Sequence, residues 1–362
     1  MQTKSKEGVV MNIENVEEYK NEVKEFSKYN IDWNLLKNKT FLISGATGMI
    51  GKCLIDIIMY KNHNENLNCN VIALGRNKEK ASDRLGIYFS DKNFKFVECD
   101  INKQIDIEEN VDYILHAASS THPRQYSTDP IGTITANVIG TYNLLEFAAN
   151  KNVNRFIFAS SVEIYGENKG DVEKFDENYL GYINCNTLRA GYPESKRTGE
   201  ALCQAFIKQK NLDIVIARLS RSFGPTMLMS DSKASSQFIK NGVKEENIVL
   251  KSEGLQEYSY TYVFDAVSAL LVILTKGKNG EAYNICDDKF NITLGNFAKV
   301  CASCVDKEVI FDLPDETERA GYSTATKALL DSKKINELGW RANSNIETRI
   351  EDTIKILKKI SK

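Results

Sequence analysis

A tyrosine and a lysine four positions apart could form a catalytic pair. Tyr192 opens the segment Tyr-Pro-Glu-Ser-Lys that ends at Lys196, and this spacing places both side chains on one face of a helix. A free phenol has a pKa near ~10 and is a poor base at neutral pH, whereas a neighbouring ammonium favours the phenolate. The pattern predicts that Tyr192 acts as a general base and that Lys196 assists it. Such a spacing also occurs by chance on helices, so the prediction depends on the residues that accompany it.

Two residues that follow a predicted strand at 155–160 could complete the catalytic group. Ser161 could hydrogen-bond the same substrate oxygen as Tyr192 and stabilise charge while a hydride moves at the adjoining carbon. Glu163 could act as a base at a carbon beside a carbonyl group. A salt bridge at the surface is the alternative role for Glu163.

A glycine-rich turn near the N-terminus is typical of dinucleotide binding. Residues 40–51 predict a strand, a tight turn and the first turn of a helix. Gly45 permits the turn, Gly48 lets the backbone approach a pyrophosphate, and Gly51 lets the helix pack closely on the strand. Free amides at the start of the helix then point at the phosphates. The predicted dinucleotide contacts in this segment are Gly45, Thr47, Gly48, Met49, Ile50 and Gly51.

The ends of the next three predicted strands supply the other expected cofactor contacts. After the second strand, where NAD enzymes usually offer a carboxylate to the adenosine ribose, the chain has Gly75-Arg76-Asn77. Arg76 could hold a 2′-phosphate, which modestly favours NADP over NAD; the alternative is an exposed arginine in an enzyme that uses NAD. The contacts expected after the third and fourth strands are Asp100, Ile101, Ala117, Ala118 and Ser119.

The elements that position these residues alternate along the chain. Short, continuously apolar runs predict parallel strands that helices cover on both faces. They lie at 40–44, 70–74, 95–98, 112–116, 155–160, 213–217 and 282–285, with helices at 51–60, 130–150 and 261–275 and an amphipathic helix within 13–36. The rhythm predicts an α/β fold, a doubly wound, Rossmann-like parallel sheet with a smaller α/β C-terminal substrate lobe. The predicted divisions are an N-terminal helical extension at 1–37, a dinucleotide-binding domain at 38–220 and 260–287, and a substrate lobe at 221–259 and 288–362.

Composition excludes several classes of partner. The formal net charge is -2, with 47 basic and 49 acidic side chains, so no broad positive field is available for a nucleic-acid backbone. The longest apolar run is too short to span a bilayer and the N-terminus lacks a signal core, so a cytoplasmic protein is expected. The eight cysteines suit buried thiols in a reducing compartment. Cys301 and Cys304 lack a second ligand pair, so no metal site is expected.

Five motifs occur in an order that resembles the extended short-chain dehydrogenase/reductase family. They are the glycine-rich turn, Ser-Ser-Val-Glu-Ile-Tyr-Gly at 160–166, the Tyr192 to Lys196 segment, Arg-Leu-Ser-Arg-Ser-Phe-Gly-Pro at 218–225 and Tyr-Val-Phe-Asp at 262–265. The resemblance covers about residues 38 to 360. It is to the NAD-dependent epimerase/dehydratase branch, whose members act on nucleotide sugars. It therefore implies a nucleotide-diphosphate sugar as the substrate.

The resemblance also implies a reaction at C4 of the sugar. Tyr192, with Ser161 and Lys196, would take the proton from O4 while C4 gives hydride to the nicotinamide, and the 4-keto sugar would then be epimerised or lose a C5 carboxylate. Dehydratases of this branch carry an Asp-Glu pair where this chain has Val162-Glu163, which disfavours simple 4,6-dehydration because valine cannot donate a proton. An NADPH-dependent reductase of a nucleotide-linked 4-keto sugar is the alternative enzyme. A non-catalytic redox sensor is a third hypothesis.

Two positions at which this chain differs from the related branch suggest residues that contact the substrate. The branch often carries a diphosphate-binding arginine where this chain has Tyr258, and an asparagine where it has Arg221. Arg221 could supply the missing charge from another direction, or it could pair with a local carboxylate. Ser120, Arg189 and Arg319 are further candidates. The resemblance also implies a homodimer, formed through the helices that begin near Pro130 and Tyr192.

Overall fold

The computed structural model describes residues 12–119, 121, 128–313, 326–343 and 345–361 of the chain. Its strands are β1 (Thr40–Ser44), β2 (Asn70–Gly75), β3 (Phe94–Glu98), β4 (Tyr113–His116), β5 (Arg155–Ser161), β6 (Ile214–Leu219), β7 (Arg221–Phe223), β8 (Ile248–Leu250), β9 (Glu257–Tyr262), β10 (Ala282–Ile285), β11 (Asn291–Thr293), β12 (Val309–Phe311) and β13 (Lys327–Ala328). Its helices are α1 (Glu17–Phe26), α2 (Met49–Glu65), α3 (Lys78–Leu85), α4 (Pro130–Lys151), α5 (Gly191–Lys210), α6 (Ala234–Val243), α7 (Val263–Lys276), α8 (Leu294–Ser303), α9 (Lys333–Glu337) and α10 (Ile346–Ile360).

Seven parallel strands form the main sheet, in the spatial order β10-β6-β5-β4-β1-β2-β3. The chain starts in the middle of the sheet, winds outward to β3, and returns through β4 to the other half, so the sheet is doubly wound and Rossmann-like, as predicted. Apolar clusters cover both faces: Leu42 of β1 packs on one side, and its neighbours Phe41 and Ile43 pack on the other. Burial on both faces explains why the strands are apolar at consecutive positions.

Some element boundaries differ from those predicted. The helix predicted at 261–275 begins at Val263, because β9 continues to Tyr262 and pairs there with β7. The strand predicted to begin at Asp112 begins one residue later, and the Asp112 carboxylate accepts hydrogen bonds from Lys39 Nζ and the Thr40 amide, both at 2.9 Å. Helix α2 continues past the expected end at residue 60.

Two smaller sheets are built mainly from the later part of the chain. Strand β9 lies at the centre of a four-stranded sheet with β7, β11 and β13, and β8 pairs with β12. Strand β10 does return to the edge of the main sheet, beside β6, as predicted. Because β9 spans residues 257–262, it crosses the predicted boundary between 259 and 260. The division into a dinucleotide-binding domain and a substrate lobe stays a prediction.

The N-terminal segment contains a shorter helix than the 13–36 pattern predicted. Helix α1 ends at Phe26, and short 3-10 turns flank it at Ile13–Asn15 and Trp33–Leu36. Its apolar face, with Tyr19 and Phe26, is buried against α7, where the Phe26 and Phe264 rings stack at 5.0 Å. The segment is therefore a packing element of the core.

Across the ranges given above, no helix has both the length and the apolar character needed to cross a bilayer. Within the same ranges, no three histidine, cysteine, aspartate or glutamate side chains gather in a way that could hold a metal ion.

Candidate active site

The turn between β1 and α2 has the tight geometry that a dinucleotide site requires. Gly45 has φ +73°, and a Cβ there would lie 2.7 Å from the backbone of Ala117 at the end of β4. A Cβ on Gly51 would lie 2.5 Å from the Gly45 carbonyl oxygen, so helix and turn approach as closely as glycine allows. Helix α2 begins just after Gly48 and its first amides have no partner within the helix. This arrangement fits a pyrophosphate at the helix N-terminus.

A cavity of about 780 Å³ adjoins this turn and contains most of the predicted site residues. The turn lies on one side of it, and residues of β7, α6 and β9 lie on the other. It brings together Gly45, Gly48, Met49, Ile50, Gly51, Ala117, Ser119, Ser161, Glu163, Arg189, Tyr192, Lys196, Arg221 and Tyr258. Residues predicted from separate parts of the chain, including four of the five motifs, therefore surround one space, which has the size of a typical small-molecule site.

Five predicted cofactor contacts do not line the cavity: Thr47, Arg76, Asp100, Ile101 and Ala118. Arg76 is exposed at the end of β2. Asp100 accepts a hydrogen bond from the Asn102 amide at 3.1 Å, and Ile101 is buried against Gly140 of α4. The Ala118 amide donates to Ser44 Oγ at 3.3 Å. The candidates Ser120 and Arg319 lie outside the described residues.

Tyr192 and two serines meet inside the cavity. Tyr192 lies in the first turn of α5 and is 5% exposed, and its phenol is hydrogen-bonded to Ser161 and Ser119. Burial raises the pKa of Tyr192 to about 12, and the two serine hydroxyls oppose that rise. The phenol is thus held beside hydroxyl groups that favour its ionised form, in a site whose low polarity favours its neutral form.

Lys196 lies one turn further along α5 and is almost fully buried. Its Nζ donates to the Ala159 carbonyl of β5 at 2.8 Å and lies 5.0 Å from the centre of the Phe158 ring. Burial lowers the pKa of Lys196 to about 8. Desolvation of the Tyr192 phenol outweighs the favourable serine contacts in this structure, and the assistance of Tyr192 by Lys196 stays a prediction.

Asn137 of α4 organises the site, and its role was missed in the sequence. Its Oδ1 accepts from Ser119 Oγ at 2.7 Å, and its Nδ2 donates to Ser195 Oγ at 2.9 Å. The Ser195 hydroxyl in turn donates to the Tyr192 carbonyl at 2.8 Å. Asn137 therefore links the end of β4 to the first turn of α5. A polar residue on the apolar face of a predicted helix was the available signal.

Glu163 lies between two arginines at the cavity wall. Its carboxylate oxygens are 3.7 Å from Nη2 of Arg189 and 3.7 Å from Nη2 of Arg221. The Arg221 guanidinium stacks on the Tyr258 ring, with Cζ 3.5 Å from the ring centre. Nη1 of Arg221 is buried and has no hydrogen-bond partner within the described part of the chain. Arg221 thus lies beside Tyr258, the position where the related branch carries its arginine, and also pairs with a local carboxylate.

Two lysines from the loops around α6 add positive charge and were not predicted. Lys233 precedes α6 and Lys251 follows β8, and both line the cavity. Each also lies near an acid: Lys233 Nζ is 3.4 Å from Asp231, and Lys251 pairs with Asp312. No motif marks these positions, because they come from loops that only the folded chain brings to the site.

Fold and site together define a nicotinamide-dinucleotide enzyme of the short-chain dehydrogenase type. Residues 41–286 match the model of the NAD dependent epimerase/dehydratase family, and the chain belongs to that family. The resemblance seen in the motifs is confirmed. UDP-glucuronic acid decarboxylase 1 of Xenopus tropicalis is 29% identical over 325 residues, which cover 89% of this chain and 72% of the relative. UDP-glucuronic acid decarboxylase 5 of Arabidopsis thaliana is 32% identical over 243 residues, which cover 67% of this chain and 68% of the relative.

Solved structures show the same fold. A dTDP-glucose 4,6-dehydratase from Streptomyces venezuelae aligns with a TM-score of 0.73 and 22% identity, covering 88% of this chain and 96% of the other. A UDP-glucuronic acid 4-epimerase from Bacillus cereus aligns with a TM-score of 0.74 and 19% identity, covering 88% of this chain and 99% of the other. The prediction of a Rossmann-like enzyme of the epimerase, dehydratase and decarboxylase type is confirmed.

Proposed function

We propose that the protein oxidises C4 of a nucleotide-linked sugar and then decarboxylates or epimerises the resulting 4-keto sugar. The observation that carries the proposal is the meeting of Tyr192, Ser161 and Glu163 in one cavity beside the glycine-rich turn. The names of the curated relatives make UDP-glucuronate the first substrate to test.

In the first half-reaction, Tyr192 takes the proton of the sugar O4 and Ser161 hydrogen-bonds the same oxygen. Asn137 holds Ser119 and the first turn of α5 in position around this oxygen. When bound in its oxidised form, the nicotinamide supplies the acceptor for the C4 hydride and a positive charge. The chain's own residues fit this role, since the β1–α2 turn admits a pyrophosphate and the cavity extends from it to Tyr192.

The second half-reaction depends on the residue at 162. Valine there cannot protonate a leaving C6 hydroxyl, which disfavours loss of water. A 4-keto uronate can instead lose its C5 carboxylate as CO2, after which C5 takes up a proton and C4 and O4 regain the hydride and proton. Glu163, held between Arg189 and Arg221, is suited to exchange the proton at C5. With a neutral sugar, proton exchange at C5 would lead to epimerisation.

Arg221 is the proposed anion-binding residue for this substrate. Its stacking on Tyr258 orients the guanidinium, and its buried Nη1 offers a hydrogen bond that the described part of the chain leaves unused. Lys233 and Lys251 add positive charge on the same side of the cavity. A nucleotide diphosphate would satisfy these donors.

A preference for NADP over NAD is proposed from the residues at the end of β2. Arg76 and Arg84 both lie close enough to Lys80 to act, with burial, to lower its pKa, so three cations gather near the expected adenosine ribose. This positive charge would favour a 2′-phosphate.

We also propose that the protein is a cytoplasmic homodimer. Helices α4 and α5 pack together, and α4 leaves apolar side chains exposed, with Ile131 at 76% and Tyr142 at 46%. A second copy would cover them. The eight cysteines are free thiols, five of them buried, which supports a reducing compartment.

The proposal is tested by incubating the purified protein with UDP-glucuronate and other nucleotide sugars, with catalytic NAD⁺ or NADP⁺, and identifying products by mass and NMR. Release of CO2 with catalytic cofactor supports decarboxylation, and an inverted sugar of unchanged mass supports epimerisation. The reductase alternative predicts that NADPH is consumed in proportion to an added 4-keto sugar. No turnover of any nucleotide sugar would refute the proposal.

A further inference from the structure

The N-terminal segment lies outside the residues that match the family, yet it reaches the helix that begins at the dinucleotide turn. The family match starts at residue 41, whereas Glu14 and Tyr19 belong to the preceding segment. Glu14 pairs with Lys52 of α2, and the Tyr19 hydroxyl donates to Asp56 of α2. The segment therefore supplies partners for two buried charged residues of the family domain.

These contacts form a closed polar group, here called the α2 cluster: Glu14, Tyr19, Lys52, Asp56 and Tyr88. Lys52 Nζ lies 2.7 Å from both carboxylate oxygens of Asp56, and the Tyr88 hydroxyl donates to Asp56 at 2.9 Å. Lys52 is 1% exposed and Asp56 is 2% exposed. Buried charges are tolerated when each one is paired and hydrogen-bonded. Of the three residues that bond to the Lys52–Asp56 pair, Glu14 and Tyr19 come from the N-terminal segment.

The α2 cluster is attached to the first two turns of α2. Lys52 directly follows Gly51, and its amide donates to the Gly48 carbonyl at 3.0 Å, which is the first hydrogen bond of the helix. Asp56 lies one turn further on. The amides that would receive a pyrophosphate belong to this same first turn, so the side chains of the cluster set the position of the helix start.

The start of α2 is also bonded to the β7–α6 connection. The Thr226 hydroxyl donates to the Met49 carbonyl at 2.9 Å, and Arg84 of α3 donates to the Thr226 carbonyl at 2.6 Å. Movement of the start of α2 is therefore resisted by the Thr226 bond as well as by the α2 cluster. The close fit of Gly51 on the turn leaves little tolerance for such a displacement.

We propose that Glu14 and Tyr19 are positioning residues for the nicotinamide dinucleotide, acting through Lys52 and Asp56 on the first turn of α2. The N-terminal segment is then a part of the cofactor site that the family domain alone does not contain. The inference rests on the dinucleotide binding in the proposed function, and it is independent of the sugar substrate.

A matched pair of variants separates positioning from general stabilisation. Tyr19→Phe removes the phenol–carboxylate bond to α2. Tyr262→Phe removes a second buried phenol–carboxylate bond of the same segment, the one from Tyr262 to Glu22. Tyr262 is fully buried in the core and does not line the cavity. Both variants delete one oxygen from a buried ring, so both are expected to lower the thermal midpoint.

NAD⁺ binding to the full-length protein, measured by calorimetric titration after removal of bound nucleotide, gives the deciding result. Tyr19→Phe should raise the Kd for NAD⁺ by about three- to tenfold, the effect of one lost buried hydrogen bond, while Tyr262→Phe leaves it unchanged. At saturating cofactor, turnover of Tyr19→Phe should return towards the wild-type value. A second variant, Asp56→Asn, keeps the side-chain volume and should weaken NAD⁺ binding in the same direction.

An unchanged Kd in Tyr19→Phe and Asp56→Asn, or an equal rise in Tyr19→Phe and Tyr262→Phe, would overturn the inference and reduce the segment to a stabilising element. Failure of the wild-type protein to bind either dinucleotide would overturn the proposed function as well. Normal dinucleotide binding without turnover of nucleotide sugars would count against the proposed reaction alone.

Discussion

At the scale of single residues, Tyr192 is the group whose loss should affect the chemistry most directly. Tyr192→Phe keeps the buried ring but removes the oxygen that contacts Ser161 and Ser119. Turnover should fall by at least ~10²-fold if this oxygen transfers the proton. Dinucleotide affinity should change little, and the two are measured by steady-state kinetics and by titration with NAD⁺. Near-normal turnover would remove Tyr192 from the mechanism.

The residues that could be predicted from the sequence are those whose role depends on residue type and local spacing. Gly45 and Gly51 were predictable because only glycine tolerates the backbone contacts that they make. The direction of the Lys196 ammonium was not, because it depends on where β5 places the Ala159 carbonyl. Asn137 was likewise hidden, since its partners come from β4 and α5. Contacts between segments that are distant in the sequence cannot be predicted from local residue spacing.

At the scale of elements, the proposed preference for NADP depends on the end of β2 and the start of α3. Asn77 caps α3 by accepting from the Lys80 amide at 2.7 Å, which leaves Arg76 exposed at the end of the strand. Arg76→Ala should weaken NADP⁺ binding by about tenfold and leave NAD⁺ binding nearly unchanged, because only NADP⁺ carries the 2′-phosphate. Titrations with both cofactors at low and high salt test this. Equal effects on both would show that the phosphate is not recognised there.

The predicted elements were most accurate where both faces are buried. The strand at 40–44 and the helix that begins at Pro130 agree closely with the structure, because continuous apolar runs and a proline at a helix start are strong local signals. The junction at Tyr262 was misjudged, since the apolar pattern runs on from β9 into α7 without a break. The strand there is set by pairing with β7, which no local pattern reveals.

At the scale of the whole molecule, the N-terminal segment and the C-terminal helix close one core. Arg349 of α10 bonds to Glu22 at 3.2 Å and to Glu25 at 3.0 Å, and its guanidinium lies over the rings of Phe26 and Tyr262. The N-terminal segment and α10 thus meet beside α7. Of this junction the family motifs include only Tyr262, so the contacts of Arg349 with Glu22 and Glu25 could be known only from the folded chain.

Buried carboxyl groups at this junction predict how stability depends on pH. Burial raises the pKa of Glu22 to about 7, and burial likewise raises the pKa of Asp265 to about 7. In the unfolded chain these groups titrate at their ordinary values near 4, so between about pH 4.5 and 7 the folded state holds protons that the unfolded state releases. The contribution of each of these groups to the free energy of unfolding should therefore fall as pH rises through this window, by up to about 1.4 kcal/mol per pH unit for each proton. The lowered pKa of buried His116 acts in the opposite direction below about pH 6.5, so the contribution of one carboxyl group is measured by comparing variants.

Urea unfolding of the protein at pH 5, 6 and 7 measures this slope. Asp265 has one oxygen bonded to the Asn343 amide at 3.0 Å and another, Oδ2, that is buried without a partner in the described part of the chain. Asp265→Asn keeps the shape and the accepted hydrogen bond but cannot titrate, so it should flatten the pH dependence. The Lys95–Glu109 pair is exposed, and Glu109→Gln should leave the slope over this window unchanged. A slope that Asp265→Asn leaves unchanged would contradict the assignment of a raised pKa to Asp265.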